Sequence, residues 1–259
     1  MRRLPPSLLV AWMAAGIASA QTDSSLSANE LLLFSQHSGF TDPQRSAHRT
    51  ASVQYYHAPN ANLKVFGDVT LSRRFDENDQ SAGLGAYLHP GENDWLYVFA
   101  AVGFSPTIIP RLDLNLEYTR LFANRLAGLL GYRLASFTGE SVHMLVPGIT
   151  LYEIPRWTIT PKVFLARLSS DATLRATFFL HLTFDLSECL MPELYYAVGS
   201  ESYRAGALDY LAGRHSWALT VGARIQLSHH LRLRAHYQHV MRTGAFEENA
   251  LDAAISVLW

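Results

Sequence analysis

Long segments in which apolar and polar residues alternate with a period of two are the feature that most constrains this sequence. Leu174–Phe184 carries apolar residues at every even position and, apart from Phe179, non-apolar ones at the odd positions between them; Trp217–Leu227 and Leu231–His239 show the same alternation. Successive side chains of a β-strand point to opposite faces, so each segment predicts a strand with one apolar and one largely polar face. An amphipathic helix would instead space its apolar residues three and four positions apart.

The length of these segments distinguishes between two all-β architectures. Leu174–Phe184 and Trp217–Leu227 each span 11 residues, whereas strands of soluble proteins centre on about 5 to 6 residues. A strand that crosses a bilayer as part of a barrel needs about 9 to 11 residues. A soluble β-sandwich would also alternate, but the segment length favours a transmembrane antiparallel up-and-down β-barrel.

The hydropathy of the chain agrees with this all-β membrane class. Hydrophobic residues make up 49% of the 259 residues, yet the mean hydropathy is only +0.03. A membrane helix needs about 20 predominantly apolar residues in a row, and no such run occurs from Asn29 onward. Only every second residue of a barrel strand faces lipid, so a membrane barrel keeps a low mean hydropathy.

Turn residues divide the chain into fourteen predicted strands, an even number that places both termini of the barrel domain on the periplasmic side. Strands one, five and eight are apolar on both faces, so a count of twelve remains an alternative. The predicted strands lie near residues 29–39, 49–57, 62–75, 80–89, 94–104, 110–122, 125–137, 141–153, 157–168, 173–185, 190–200, 216–227, 230–241 and 248–259.

The predicted connections differ in length between the two ends of the barrel. Short periplasmic turns and longer external loops are the usual asymmetry of such barrels. Tight periplasmic turns are predicted at Pro59–Asn60, Phe122–Arg125, Ile154–Arg156 and Ser228–His229, and longer external loops at Thr41–Ala47, Ser105–Ile109, Glu201–His215 and Arg242–Glu247.

The first twenty residues have the features of a secretory signal peptide. Arg2 and Arg3 provide a positive start, Leu8–Ile17 is apolar but too short to span a bilayer, and Ala18-Ser19-Ala20 supplies a signal-peptidase site. We therefore predict a cleaved signal peptide at residues 1–20 and an outer-membrane β-barrel domain at residues 21–259. An uncleaved N-terminal anchor is the alternative.

The last predicted strand carries a regular apolar row that ends in a tryptophan. Such an ending resembles the signal by which outer-membrane barrels are recognised for assembly, so we expect Ile255, Val257 and Trp259 to engage the barrel-assembly machinery. Aromatic residues at other strand ends are expected to form girdles at the membrane interfaces; they are Trp95, Tyr118, Trp157, Tyr196 and Trp217.

A set of short motifs runs in a fixed order through the middle of the chain. The motifs are Ser105-Pro106 with Pro110-Arg111, Gly131-Tyr132-Arg133, Gly148 to Tyr152, and Ser169-Ser170-Asp171. Together they resemble the YaiO family of outer-membrane barrels. The resemblance implies a single-domain barrel in the outer-membrane bilayer, with no settled activity. Similar barrels are found with exopolysaccharide and envelope-glycan machinery, which makes polysaccharide or envelope-glycan components expected partners.

Charged residues recur on the predicted inward faces, where a charge must be paired or hydrated. They either hold a filled interior together or line a narrow pathway, because twelve or fourteen strands fall between small filled barrels and open porins. The basic run Arg224, Arg232, Arg234 and His236 is the most one-signed patch and would favour an anionic or sugar ligand. The candidate lumen-lining residues are Arg111, Asp113, Glu117, Arg133, Lys162, Arg175, Arg224, Arg232, Arg234 and His236, with His181, Glu193 and Asp252 on the same faces.

Catalytic and cofactor chemistry have weak sequence support. Ser35-Gln36-His37-Ser38 and His215-Ser216 bring serine and histidine together, but neither has a recognisable third group to orient the histidine. The eleven histidines are dispersed, and no phosphate loop or metal-ligand spacing is present; we predict no catalytic residue, metal or cofactor. A net charge of −1 gives no reason to expect nucleic acid, and the single cysteine, Cys189, excludes an internal disulfide.

Three functions are compatible with these observations. The first is a non-enzymatic, porin-like barrel that passes or binds envelope or extracellular polysaccharide or another anionic solute. The second is a closed structural barrel or assembly partner. The third is an outer-membrane lipid-modifying enzyme, which requires a serine and a histidine within about 3.2 Å of each other near the membrane face.

Overall fold

The computed structural model describes residues 29–41, 47–74, 77–104, 106–107, 109–122, 125–152, 154–200, 215–243 and 247–259. The predicted signal peptide, residues 1–20, lies outside these residues. Within them the chain forms fourteen strands: β1 (Glu30–Phe40), β2 (His48–Asn60), β3 (Leu63–Arg74), β4 (Glu77–Gly91), β5 (Asp94–Phe104), β6 (Leu112–Phe122), β7 (Leu126–Phe137), β8 (Glu140–Leu151), β9 (Trp157–Leu168), β10 (Asp171–Phe184), β11 (Leu190–Ser200), β12 (His215–Ser228), β13 (Leu231–Arg242) and β14 (Glu248–Leu258).

The strands form one closed antiparallel barrel with up-and-down topology. Each strand pairs with its sequence neighbours, and β1 pairs with β14 from Glu30 opposite Leu258 to Phe40 opposite Glu248. Two backbone hydrogen bonds between Asn29 and Trp259, of 3.0 and 3.1 Å, extend this seam. Closure removes the unpaired edges that a bilayer could not satisfy. The predicted fold class and the count of fourteen strands are confirmed.

The strands are 11 to 15 residues long, enough to cross a bilayer at a tilt. Strands one, five and eight are present as β1, β5 and β8 despite apolar residues on both faces. In β8 the inward residues Val142, Met144 and Val146 belong to an apolar cluster inside the barrel. In β5 the inward rings of Tyr97 and Phe99 pack on Phe66. Apolar inward residues in these strands therefore pack against other interior side chains.

The outward face of the barrel is apolar around its circumference. Leu84 on β4 is 74% exposed, and Leu174 on β10 and Leu251 on β14 are each 63% exposed. A continuous apolar surface of this kind is expected where the strands face lipid rather than water. No helix among the described residues is long and apolar enough to cross a membrane.

The connections alternate between two ends of the barrel. One end carries the short turns 61–62, 92–93 and 229–230, and the other carries the longer connections 41–47, 105–111 and 201–214. By the usual asymmetry we refer to the first as the periplasmic end and the second as the external end. Odd-numbered strands therefore start at the periplasmic end.

Two predicted tight turns lie later in the sequence than expected. The turn predicted at Pro59–Asn60 is formed by Ala61 and Asn62, because a bulge follows His57 and the Asn60 side chain accepts the Asn62 N–H at 2.9 Å. The turn predicted at Ser228–His229 is formed by residues 229–230, after a register shift between Gln226 and Ser228. Each bulge adds a residue to the strand before the turn.

Several aromatic residues lie near strand ends on the outward face, whereas Tyr132, Phe178 and the predicted Tyr196 lie in the middle of their strands. Tyr55 and Trp259 lie 6.1 Å apart between ring centroids, and Trp157 and Phe184 lie 4.7 Å apart, both at the periplasmic end. Trp95 does not belong to this outward set. It pairs with Thr119, whose side chain is buried inside the barrel, and therefore lies on the inward row. The alternation within β5 did not reveal this because both faces of the strand are apolar.

Candidate functional site: the barrel interior

Nine of the ten predicted lumen-lining residues lie on the inward rows of their strands. Arg111 lies outside β6, in the connection that precedes it, and its side chain is exposed. Among the nine, the side chains of Glu117, Arg133, Lys162, Arg224 and His236 are buried, and those of Asp113, Arg175, Arg232 and Arg234 are half-buried.

The Gly131-Tyr132-Arg133 motif places a cation inside and a phenol outside. Arg133 donates from Nε to one carboxylate oxygen of Asp113 at 2.7 Å and from Nη2 to the other, a bidentate pair between β7 and β6. Tyr132 points outward, and its hydroxyl lies 2.8 Å from Nδ1 of His143 on β8. The motif therefore connects three neighbouring strands on both faces of the wall.

A second ion pair crosses three strand boundaries inside the barrel. Nζ of Lys162 on β9 donates to the carboxylate of Glu117 on β6 at 3.2 Å, and both side chains are buried. Gly131 lies opposite Glu117, and Gly148 lies opposite Lys162. A Cβ at Gly148 would stand 2.9 Å from Cγ of Lys162, so the missing side chain gives the lysine room along the wall.

Glu193 on β11 is the centre of a third polar group. Its carboxylate accepts from Arg224 Nη2, lies 2.8 Å from Nε2 of His236, and accepts from the Tyr195 hydroxyl at 3.3 Å. Gly222 separates Glu193 from His236 in the register, and a Cβ there would stand 2.0 Å from the imidazole. Arg224 and His236, two members of the predicted basic run, therefore both contact the same carboxylate on β11.

Side chains fill the interior at the external end. Arg74, Asp79 and Glu248 are each 1% exposed although all three are charged. Arg242 donates to Glu248 at 3.0 Å, and the Arg74 guanidinium lies 5.9 Å from the ring centroid of Phe40. Charges so far from water are tolerated only with partners of this kind. We refer to Arg74, Asp79, Arg242 and Glu248 as the external layer.

The connection between β5 and β6 is fastened to the external layer. The Asp79 carboxylate accepts the backbone N–H of Thr107 at 2.9 Å and that of Ile109 at 2.8 Å. Because Asp79 points inward from β4, these bonds draw the connection toward the mouth of the barrel. Hydrogen bonds to a carboxylate are stronger than those between neutral groups. The two bonds to Asp79 therefore fix the position of this connection at the external end.

Part of the interior is apolar, which differs from the polar lumen that the sequence predicts. One cluster on β7, β8 and β9 comprises Ala135, Phe137, Val142, Met144, Val146, Ala166 and Leu168. Phe164 also packs against a second cluster of Phe179, Tyr195, Ala197, Ala218 and Val240. Apolar side chains pack at high density when water is excluded. These clusters occupy the interior beside and above the buried ion pairs.

Five aromatic rings form a continuous surface inside the periplasmic half. Phe66 stacks on Tyr56 at 5.0 Å between centroids, on Phe99 at 5.7 Å and on Tyr97 at 6.2 Å, and Tyr87 lies 5.6 Å from Phe66 and 5.0 Å from Tyr97. The rings come from four consecutive strands, β2 to β5. We refer to Tyr56, Phe66, Tyr87, Tyr97 and Phe99 as the aromatic platform.

Cations border the aromatic platform. Nζ of Lys64 lies 4.9 Å from the ring centroid of Tyr56 and donates to Glu30 at 3.3 Å. Arg234 and the carboxylate of Glu30 both lie within electrostatic range of the phenols of Tyr56 and Tyr87. Arg232 donates from Nε to the Gln226 amide oxygen at 3.0 Å. Lys64, Arg232 and Arg234 are all half-buried, in contrast to the arginines of the external layer.

The serine–histidine clusters considered for catalysis lie on different faces. Ser35 and His37 point outward, whereas Ser38 and Ser216 are buried inside. The structure does contain a serine–histidine pair that the sequence did not indicate. Nε2 of His48 lies 3.0 Å from the Ser72 hydroxyl, inside the external end. Thr50 also lies 3.0 Å from the same nitrogen. Within the described residues, no group of three metal-ligating side chains occurs.

The aromatic platform and the external layer are the interior features that sequence reasoning missed. The alternation that assigned the charged residues to the inward rows also assigns Phe66, Tyr87 and Tyr97 to them, once the strand bounds are known. Their grouping depends on pairing between β3, β4 and β5, which no local pattern encodes. Arg242 and Glu248 lie at the two sides of a connection that the sequence suggested only as a loop.

A closed fourteen-stranded barrel with an apolar outer wall and a charged, hydrogen-bonded interior defines an integral outer-membrane protein. The sequence profile of the YaiO membrane beta barrel domain matches residues 28–189. The chain therefore belongs to the YaiO family, and the family predicted from the motifs is confirmed. No relative was found among curated proteins.

Solved structures show the same fold at low sequence identity. A bacterial polysaccharide outer membrane secretin is 10% identical, with a TM-score of 0.59 over 89% of this chain and 98% of the other. Omp33 of Acinetobacter baumannii is 12% identical, with a TM-score of 0.53 over 88% and 97%. The translocator domain of the autotransporter NalP from Neisseria meningitidis is 11% identical, with a TM-score of 0.51 over 95% of each chain. These similarities support the outer-membrane barrel fold.

Proposed function

We propose that this barrel is a non-enzymatic outer-membrane protein that binds an anionic envelope or extracellular polysaccharide in its lumen and passes it when the external layer opens. The observation that carries the proposal is the difference between the two ends of the interior. At the periplasmic end Arg232 and Arg234 are half-buried, whereas at the external end Arg74, Arg242 and Glu248 are buried. A charged interior that is accessible from one side favours a ligand that enters from that side.

The charge distribution supports an anionic ligand. Arg224 contacts Glu193 and Lys162 contacts Glu117, so these two cations hold neighbouring parts of the wall together, and His236 also contacts Glu193. Arg232 and Arg234 lie closer to the periplasmic mouth on β13, where their positive potential attracts anions. The fold shared with a polysaccharide outer membrane secretin agrees with a saccharide ligand.

Single-channel recording tests the pathway. We would insert the protein, purified from outer membranes, into a planar bilayer and compare it with the variant Arg242→Ala/Glu248→Ala. We expect rare, brief current steps from the unmodified barrel and more frequent, longer steps from the variant, because the variant removes two side chains of the external layer. Adding Arg232→Glu/Arg234→Glu to the opened variant is expected to reduce its preference for anions.

If neither the unmodified barrel nor the Arg242→Ala/Glu248→Ala variant shows current steps while folded, passage through the lumen is overturned. Arg167→Ala, an outward and exposed position on β9, is the matched control and should leave the current unchanged. Heat-modifiable migration on a gel would establish that each variant is folded before the recording.

The second candidate is a closed structural barrel or assembly partner. The observation in its favour is the filled external half, where Val142, Arg74 and Glu248 are at most 1% exposed. This candidate predicts that the opened variant conducts no more than the unmodified barrel, and that neither binds an anionic saccharide.

The enzyme alternative now rests on His48 and Ser72 rather than on the clusters considered from the sequence. The pair lies inside the barrel and is buried, whereas a lipid substrate would approach from the outer wall. A nucleophilic serine also needs a group that orients its histidine. Phospholipid hydrolysis lost on Ser72→Ala would support the enzyme and overturn the non-enzymatic proposal.

A further inference from the structure

The aromatic platform is supported by glycines that leave room for its rings. A Cβ at Gly85 would stand 2.2 Å from the Phe66 ring, and a Cβ at Gly83 would stand 2.7 Å from the Phe99 ring. Both glycines lie on the inward row of β4, opposite Phe66 and Asp68. The two rings therefore lie close to the backbone of the wall. The rings of Phe66 and Phe99 are stacked and nearly parallel, with 6° between their planes.

Four rings of the platform and Arg234 lie at similar distances along their strands from the periplasmic end. Phe66, Tyr97 and Arg234 are each the fourth residue of their strand, counted from the periplasmic end. Tyr56 and Tyr87, on strands of the opposite direction, are each the fifth residue from that end. Arg232 lies two residues nearer the periplasmic mouth on the same inward row as Arg234.

Flat aromatic faces beside guanidinium groups match one class of ligand. The apolar face of a pyranose ring packs on an aromatic ring, while polar groups at the edge of such a site fix its orientation. Guanidinium groups recognise carboxylate and phosphate through paired hydrogen bonds. The phenols of Tyr87 and Tyr97 add hydroxyl groups within the same surface, which suits a ligand that is both ring-shaped and hydroxylated.

We infer that the periplasmic half of the lumen is a binding site for acidic oligosaccharide, with the aromatic platform holding the sugar rings and Arg232 and Arg234 holding their carboxylates. This inference rests on the proposed function and specifies its ligand class and side of entry. The chain of an acidic polysaccharide enters from the periplasm and contacts the platform before it reaches the external layer.

Calorimetric titration of the detergent-solubilised protein tests this site with three probes. Tetragalacturonate carries both sugar rings and carboxylates, maltotetraose carries rings without charge, and tetraglutamate carries charge without rings. We expect tetragalacturonate to bind most tightly. Arg232→Ala/Arg234→Ala should weaken it about tenfold or more, as expected for the loss of charge-assisted hydrogen bonds. Arg167→Ala is the control outside the lumen.

The platform is tested with Tyr87→Leu/Tyr97→Leu, which keeps apolar volume but removes two rings. We expect this variant to lose affinity for tetragalacturonate and maltotetraose while its affinity for tetraglutamate is unchanged. Equal binding of tetraglutamate and tetragalacturonate, unaffected by the tyrosine variant, would overturn the saccharide site and leave a simple anion site. Absence of binding by any probe to the folded protein would also overturn it.

These outcomes are separable from failure of the proposed function. Conductance reports passage through the opened barrel, and titration reports binding in the periplasmic half. A barrel that conducts but binds no tetragalacturonate retains an anion pathway without the saccharide site. A barrel that binds tetragalacturonate but never conducts retains the site without passage.

Discussion

Nη2 of Arg242 on β13 and the carboxylate of Glu248 on β14 lie 3.0 Å apart inside the barrel, with side chains 0% and 1% exposed. The two residues flank the connection 243–247, so the pair joins both sides of one external hairpin. A buried charge without its partner is costly, whereas removal of both charges is often tolerated. The pair therefore holds the external end in one arrangement.

Breaking this pair on one side should cost more than removing it completely. We expect Glu248→Leu to lower the free energy of unfolding by about 3–5 kcal/mol, because Arg242 would remain buried without its carboxylate. Arg242→Met/Glu248→Leu should cost clearly less. Urea unfolding in lipid vesicles, followed by tryptophan fluorescence, measures both. A double variant that costs as much as Glu248→Leu, or more, would contradict this account of the pair.

The contact between Gly85 and Phe66 predicts a steric effect. We expect Gly85→Ala to destabilise the barrel by about 1–3 kcal/mol, because the new Cβ would lie 2.2 Å from the Phe66 ring and force it off the wall. Gly39→Ala is the control, since a Cβ there meets nothing within 4 Å. Equal unfolding midpoints for the two variants would show that Phe66 moves aside at little cost.

Gly139 predicts a conformational effect without a steric one. Its φ of +88° lies in the left-handed region, in the two-residue turn between β7 and β8, and a Cβ there would meet nothing within 4 Å. We expect Gly139→Ala to cost about 1 kcal/mol, because an L side chain is disfavoured at this φ. Gly39→Ala again serves as the comparison in the same unfolding assay. A loss no larger than that of Gly39→Ala would mean that the turn adopts another conformation.

The contact between Tyr55 and Trp259 predicts an effect on assembly of the β1–β14 seam. We propose that Ile255 and Val257 on β14 and Trp259 directly after it, which form an exposed outward row, are recognised by the barrel-assembly machinery. Trp259→Ala should lower the amount of folded protein in the outer membrane, and Trp259→Phe should retain most of it. Trp217→Ala, at the external end of β12, is the matched control. Quantitative immunoblotting of membrane fractions with and without heating distinguishes folded from unfolded protein.

Cys189 offers a direct test of the orientation. It is exposed and lies in the 185–189 connection at the end assigned to the periplasm. A membrane-impermeant maleimide should label it only after the outer membrane is permeabilised. Thr138→Cys in a Cys189→Ser background, in the exposed turn at the other end, should be labelled in intact cells. The reverse pattern would invert the assignment of both ends.

Local sequence patterns predicted most strands of the barrel wall, but they did not predict how the side chains inside the barrel pack. The inward position of Arg232, Arg234 and His236 followed from alternation in β13. The inward position of Trp95 did not, because β5 has apolar residues on both faces and only its pairing with Thr119 on β6 reveals the side. β8 is likewise apolar on both faces, so its sequence did not predict that Val142 and Met144 pack in an apolar cluster inside the barrel.

The sequence by itself determined the alternating strands and their lipid-facing rows, because a period of two is a property of each strand alone. The structure decided between fourteen strands and twelve, since β1, β5 and β8 are apolar on both faces and were assigned only weakly from the sequence. The tertiary structure decided which inward side chains meet. Lys162 on β9 meets Glu117 on β6 across two intervening strands, where Gly148 is paired with Lys162 and Gly131 with Glu117. The aromatic platform and the external layer likewise arise from strands distant in the chain that closure brings together. Interior contacts depend on register and barrel closure, which involve the whole chain at once.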